Sequence, residues 1–203
     1  MVTRIRLFLA AVALVAVAPT GCMDMRHSVG DGTMKEQERT GQVTVRGKPL
    51  TLLGPDLKVG DAAPDVRVVD AGFGEVKLSD FRGKTVLVSA VPSLDTPVCS
   101  IQTKRFNEEA EKLPDSVVVL TISMDLPFAQ ARFCGAENIK KIRVLSDHVH
   151  WEFGRMFGVL IKENALLARS VWVVSPQGRI TYRQIVPELT NEPDYAQALA
   201  AVK

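Results

Sequence analysis

Cys99 closes the octapeptide Pro92-Ser93-Leu94-Asp95-Thr96-Pro97-Val98-Cys99, and a second cysteine, Cys134, follows 35 residues later. An apolar run, Thr85 to Val91, precedes the octapeptide and suits a buried central strand that ends at Pro92. Thr96 is a good helix N-cap, and Pro97 then falls at the first helical position, where a missing N–H costs nothing. Cys99 is then third in the helix, near free N–H groups and the positive end of the helix dipole. That placement favours a thiolate, and a thiolate is a nucleophile. The Thr96 hydroxyl can donate or accept a hydrogen bond at the sulfur or at a bound oxygen, while Pro92 and Pro97 stiffen the loop. The alternative is a structural staple: a Cys99–Cys134 disulfide closing a loop of this length contributes roughly 3–4 kcal/mol through the unfolded state. Local sequence leaves both readings open.

The elements that must position these groups alternate in type. Val43, Val45, Leu50 and Leu52 alternate with polar residues around a Gly47-Lys48 turn, a hairpin signal. Short strands are predicted at Val66 to Val69 and Val76 to Leu78, around a Gly72/Gly74 turn. The helix that opens at Thr96 should reach about Lys112, with Val98, Phe106, Ala110 and Leu113 on its apolar face. Val117 to Ile122 reads as another buried strand, and Leu126-Pro127 opens a short helix stopped by Gly135. A brief strand at Arg143 to Leu145 and a helix from His150 to Phe157 follow. Val171 to Val174 and Ile180 to Ile185 flank the turn Ser175-Pro176-Gln177-Gly178, and Asp194 to Val202 closes the chain as a helix. Strands alternating with helices, then a hairpin and a helix, predict a three-layer α/β sandwich.

Length and composition fit one globular domain: 203 residues, 46% hydrophobic and 24% charged. A formal charge of +2 is too small to suggest nucleic acid. Arg4 and Arg6 precede an apolar run, Leu7 to Val17, which is too short to cross a bilayer and has signal-peptide anatomy. Gly21-Cys22 resembles a bacterial lipobox, although Pro19 stands where an aliphatic residue is usual. The expectation is therefore a leader over 1–21, removed by lipoprotein-type or ordinary cleavage, and a flexible polar tether over 22–41. The domain then spans 42–203. Loss of Arg4 and Arg6 leaves the mature chain with no net charge. The expected location is exported and periplasmic, with a membrane anchor if Cys22 is lipidated. That leaves Cys99 and Cys134 as a pair in a disulfide-permissive compartment.

Pro92, Thr96 and Cys99 meet the P-x-x-x-T-x-x-C signature of peroxiredoxins, and the full octapeptide resembles the thiol peroxidase (Tpx) subfamily. So do Asp125-Leu126-Pro127-Phe128-Ala129-Gln130-Ala131-Arg132-Phe133-Cys134-Gly135, Leu167-Ala168-Arg169-Ser170-Val171 and Thr190-Asn191-Glu192-Pro193-Asp194-Tyr195. The likeness runs from about residue 42 to 203, in order. It implies a thioredoxin-like fold with a mixed central sheet and an extra N-terminal hairpin, and an atypical two-cysteine peroxidase, usually a homodimer. Cys99 would attack hydrogen peroxide or an organic hydroperoxide and become a sulfenic acid. Thr96 and Arg169 would hold the peroxide oxygens, Arg169 would keep Cys99 ionised, and Pro92 would shield the sulfenic acid. Cys134 would resolve it into an intramolecular disulfide that a thioredoxin-like protein reduces. No metal, haem or flavin is implied.

Two cysteines on separate helices cannot meet without movement, because disulfide geometry needs Cα atoms within about 7 Å; local unwinding around Cys99 or Cys134 is expected. The competing readings are a thiol–disulfide oxidoreductase, which lacks its usual C-x-x-C here, and a non-catalytic exported lipoprotein. The family's ordinary reductant is cytosolic, so export calls for a periplasmic or membrane-linked thioredoxin-like partner, unless the leader does not function as one. His148 and His150, an H-x-H pair beside Asp147, are expected in a solvated loop rather than a metal site. Trp151, Phe153, Phe157 and Trp172 are read as packing residues, and Lys140, Lys141 and Arg143 as a solvated face.

Overall fold

A computed structural model describes residues 36–202; the leader, Cys22 and most of the tether lie outside the described residues. Ten strands and four helices follow in the order β1 Glu38–Val45, β2 Lys48–Leu53, β3 Arg67–Val69, β4 Glu75–Lys77, β5 Thr85–Ala90, α1 Pro97–Ala110, β6 Val117–Ser123, α2 Pro127–Ala136, β7 Arg143–Ser146, α3 Glu152–Met156, β8 Leu160–Ile161, β9 Ser170–Val174, β10 Ile180–Ile185 and α4 Tyr195–Ala200. Seven strands form one sheet in the order β10-β9-β5-β6-β7-β3-β4, and β1-β2-β8 form a second. The large sheet is mixed: β5, β6 and β7 run parallel, while β9 pairs antiparallel with β5.

The strand period of two sorts side chains onto two faces. Leu87, Val119, Val171 and Val173 pack with Phe106 of α1, Phe133 of α2 and Tyr195 and Ala198 of α4. Val88, Ala90, Leu120, Ile122 and Trp172 face the other way, onto β1, β2 and α3 through Val43, Leu52, Phe153 and Phe157. Phe157 stands edge-on to Trp172, with ring centroids 5.2 Å apart, and stacks on Phe153 at 4.5 Å. These aromatics are core packing, as read from the sequence. The layers are helices, sheet, and hairpin with α3: the expected three-layer sandwich, of thioredoxin-like type. Among the described residues no helix is long and apolar enough to cross a membrane.

Several boundaries differ from the sequence reading. The ordered domain begins before Gln42: β1 starts at Glu38 and pairs with β2, and a bulge between Thr40 and Val43, with Gly41 at φ 84°, interrupts the alternation that would have revealed it. The turn residues are Arg46 and Gly47, both at positive φ (50° and 75°), the pair a right-twisted hairpin needs. Gly135 does not stop α2. It sits inside the helix, and Asn138 (φ 53°) supplies the left-handed residue, with the Ile139 N–H closing onto the Cys134 carbonyl at 3.0 Å. α3 is shorter than expected. Trp151 is left-handed, and the buried Asp147 carboxylate caps the helix by accepting from the N–H groups of Phe153 (3.0 Å) and Gly154 (2.8 Å).

Candidate active site

α1 opens where β5 runs out, so Cys99 lies just beyond the end of a central strand, in the helix's first turn. Thr96 is the N-cap residue and Pro97 the first helical residue, as predicted, yet the hydroxyl does not cap. It donates instead to the Ser93 carbonyl at 3.0 Å. That corrects the dual role expected of Thr96: its proton is committed, and its oxygen is left only to accept. The first helical hydrogen bond is Ser100 N–H to Thr96 O, so the N–H groups of Val98 and Cys99 have no intrahelical acceptor. Forgoing a side-chain cap costs about 1 kcal/mol and leaves donors beside the sulfur.

Cys99 is fully buried, packed with Val91 and Leu94. Arg169, one residue before β9, is 2% exposed and donates from Nη2 to Cys99 Sγ at 3.4 Å. Its Nε and Nη2 both reach the Leu189 carbonyl at 3.0 Å, and Nη1 reaches Gln102 Oε1 at 2.6 Å. These partners are an amide, a carbonyl and the sulfur. A buried guanidinium held otherwise by neutral acceptors leaves its charge directed at the Cys99 sulfur.

Gln102 escaped the sequence reading. It lies three residues after Cys99, so both point inward on one helical face, and its Nε2 donates to Ser89 Oγ on β5 at 2.7 Å. Phe106, Ala110 and Leu113 pack against the sheet as expected, but the fully buried stripe of α1 begins with Cys99, Gln102 and Thr103 in place of the half-buried Val98. A glutamine among buried positions was the signal that could have found it.

Pro92, Thr96, Pro97, Val98, Arg169 and Leu189 line an open cleft of about 620 Å³, from which the fully buried Cys99 is separated by these neighbours. Val45, Arg46 and Lys48 from the β1–β2 hairpin also line it. The buried Pro92, which has no N–H to offer, covers one side.

Cys134 is elsewhere. It is half-buried in the third-last position of α2, against the apolar layer on the helical side of the sheet, and both thiols are free. Burial raises its pKa, so it remains a thiol near neutral pH. Asp125, just before α2, ties the two regions together: its carboxylate accepts from Ser93 Oγ (2.7 Å) and from the Leu94 N–H (2.8 Å). Gln130 anchors the first turns of α2 to the sheet by donating to Ser123 Oγ (2.9 Å) and Leu145 O (2.8 Å). Of the other residues singled out, His150 lies 3.8 Å from Glu75, and among the described residues no cluster of His, Cys, Asp or Glu could hold a metal ion. Lys140 and Lys141 are exposed beside α1, where their N–H groups bond Asn107 Oδ1.

A mixed sheet with a buried thiol in a helix's first turn and an arginine across from it is the peroxiredoxin version of the thioredoxin-like fold. The Redoxin family model matches residues 58–199. A thiol peroxidase of Bacillus subtilis is 52% identical over 162 residues, covering 80% of this chain and 96% of the relative. A thiol peroxidase of Listeria innocua matches equally, covering 98% of its own length. The crystal structure of a peroxiredoxin-like protein from Aquifex aeolicus superposes with a TM-score of 0.76 at 41% identity, over 81% of this chain and 97% of that one. The chain belongs to the Redoxin family, within its thiol peroxidase subfamily.

Proposed function

We propose that this chain is a thiol-dependent peroxidase in which Cys99 is the nucleophile and Cys134 the resolving thiol. The observation that carries the assignment is the 3.4 Å contact between Cys99 Sγ and the buried Arg169 guanidinium, which itself lines the same cleft as Pro92 and Thr96. The Cys99 thiolate attacks the terminal oxygen of a hydroperoxide. An S–O bond forms, the O–O bond breaks, and the electron pair leaves on the distal oxygen as hydroxide or alkoxide, which then takes a proton. Thr96 Oγ1 accepts from the peroxide O–H, while Arg169 and the N–H groups of Val98 and Cys99 stabilise charge on the oxygens. Cys99 is now a sulfenic acid.

Cys134 then attacks the Cys99 sulfur, displacing the oxygen as water and leaving a Cys99–Cys134 disulfide. Both cysteines sit in helices, and their pairing calls for local unwinding around Cys99 or Cys134; the grip of Gln130 and Asp125 on the start of α2 supports the turn around Cys134 as the part that gives. Superposable reduced and disulfide structures would refute this movement. A dithiol of thioredoxin type returns the enzyme to its reduced form. The test is peroxide consumption with a thioredoxin-like reductant: Cys99→Ser abolishes it, and undiminished turnover in that variant sinks the assignment.

Export, periplasmic location and anchoring through lipidated Cys22 belong to the same reading; the anatomy of residues 1–22 supports them. Labelling cells with a radioactive fatty acid, with Cys22 present or replaced by serine, tests the anchor. A homodimer is the expected assembly, supported by the exposed apolar side chains Phe73, Leu126 and Phe128. Sedimentation across a concentration series checks it.

A further inference from the structure

Arg169 depends on more than its own strand. The backbone of Leu189 is held on both sides: its carbonyl receives Nε and Nη2 of Arg169, each at 3.0 Å, and its N–H donates to Thr44 O of β1 at 2.9 Å. Thr44 N–H returns a bond to Pro187 O. Between Pro187 and Leu189 sits Glu188. Its Oε1 accepts from Arg46 N–H (3.0 Å), Thr190 Oγ1 (2.8 Å) and Thr190 N–H (3.2 Å), and its Oε2 accepts from Thr44 Oγ1 (2.8 Å) and Gly47 N–H (3.2 Å). Five donors from two segments distant in sequence converge on one carboxylate, and they hold its pKa down at about 2. Arg46 and Gly47 are the two turn residues at positive φ, so the carboxylate locks the hairpin tip itself.

We propose that Glu188 is a positioning residue for the peroxide site: it fastens the tip of the β1–β2 hairpin to the peptide whose carbonyl orients Arg169 against Cys99. The hairpin then supports the reacting thiol through Glu188, Leu189 and Arg169. This rests on the peroxidase reading. The lever is geometric, because a two-point grip on one carbonyl fixes the guanidinium plane, and displacement of a positioning group by about 1 Å can cost on the order of 100-fold in rate.

A second carboxylate provides the control. Asp56 also fastens the hairpin, accepting from Arg39 and Arg183, with Lys58 beside it, but its partners lead to β10 and away from Arg169. Each oxygen of Glu188 faces a backbone N–H, so glutamine must turn its own NH₂ against one of them and keeps only half the lock; alanine keeps none.

The experiment measures the pH profile of Cys99 alkylation, the rate constant of reduced full-length protein with hydrogen peroxide, and the melting temperature. Glu188→Gln and Glu188→Ala slow the peroxide reaction by about 10-fold and about 100-fold, and move the alkylation profile to higher pH in that order. Asp56→Asn lowers the melting temperature without moving the profile. If Glu188→Ala does not fold, Thr44→Val removes a single donor and shifts the profile in the same direction by less. The proposal is overturned if Arg169→Ala moves the profile and the Glu188 variants do not, or if the variants track melting temperature alone with Asp56→Asn among them. If Arg169→Ala itself leaves the profile in place, the peroxide-site reading fails, and this inference with it.

Discussion

Cys99 and Cys134 are both free thiols carried on helices, but their surroundings are opposite. Cys99 is in a first turn, next to unbonded N–H groups and a buried cation whose other partners are neutral. Cys134 is near a helix end, where carbonyls dominate, in apolar packing that raises its pKa, and its own carbonyl is tied into the helix cap. Under the proposed assignment the first thiol is prepared for attack by a rigid frame, and the second is held back until its frame loosens. Division of labour between two chemically identical side chains is thus set by where each falls along its helix and by what packs on it.

The comparison breaks most severely at Arg169. Arg169→Ala should lower the second-order rate with peroxide by about 100- to 1,000-fold, the range seen on removing a donor to developing charge; stopped-flow mixing of reduced protein with peroxide measures it. Resolution should be spared once the sulfenic acid has formed. Gln102→Ala is milder, about 10-fold in the same assay, because it frees one of the hydrogen bonds that orient a charged group.

Changes at the other thiol should act on the second step alone. Asn138→Ala places an ordinary side chain in the left-handed position that ends α2, which costs about 1 kcal/mol and loosens the cap on Cys134. Disulfide formation should then accelerate a few-fold with peroxide reactivity unchanged, as read by quenched-flow mass spectrometry. Burial raises the Cys134 pKa, so its thiolate, and with it the rate of resolution, should increase as pH rises above neutral. An effect on stability alone, with none expected on either chemical step, lies away from both thiols. Asp147 is buried, and desolvation lifts its pKa to about 6, above the value it has when unfolded. The folded state therefore binds the extra proton, and this contribution to stability is present below about pH 4 and is lost as pH rises through 6. It is on the order of 3 kcal/mol, and denaturant titrations across that range should show it.

What the sequence made legible follows the same division. Pro92, Thr96 and Cys99 lie within one loop and one turn, so capping rules and a contiguous signature locate them. Arg169 required the resemblance, since nothing near it in the chain marks a buried charge. Gln102, Ser89, Leu189 and Glu188 were not singled out, because their partners are brought together only by the fold: Gln102 and Arg169 are 67 residues apart, and a backbone carbonyl leaves no mark in a sequence. The layers were legible from strand and helix periods. The start of β1 was hidden by the bulge at Gly41, and α2 outran Gly135 because a helix ends at its left-handed residue, here Asn138.

The most direct test of the central claim uses Cys134→Ser treated with one equivalent of hydrogen peroxide and a sulfenic-acid trapping reagent, followed by peptide mass spectrometry. The account predicts that the peroxide is consumed and the adduct appears on Cys99. An unmodified Cys99 peptide, with the peroxide still present, would contradict it.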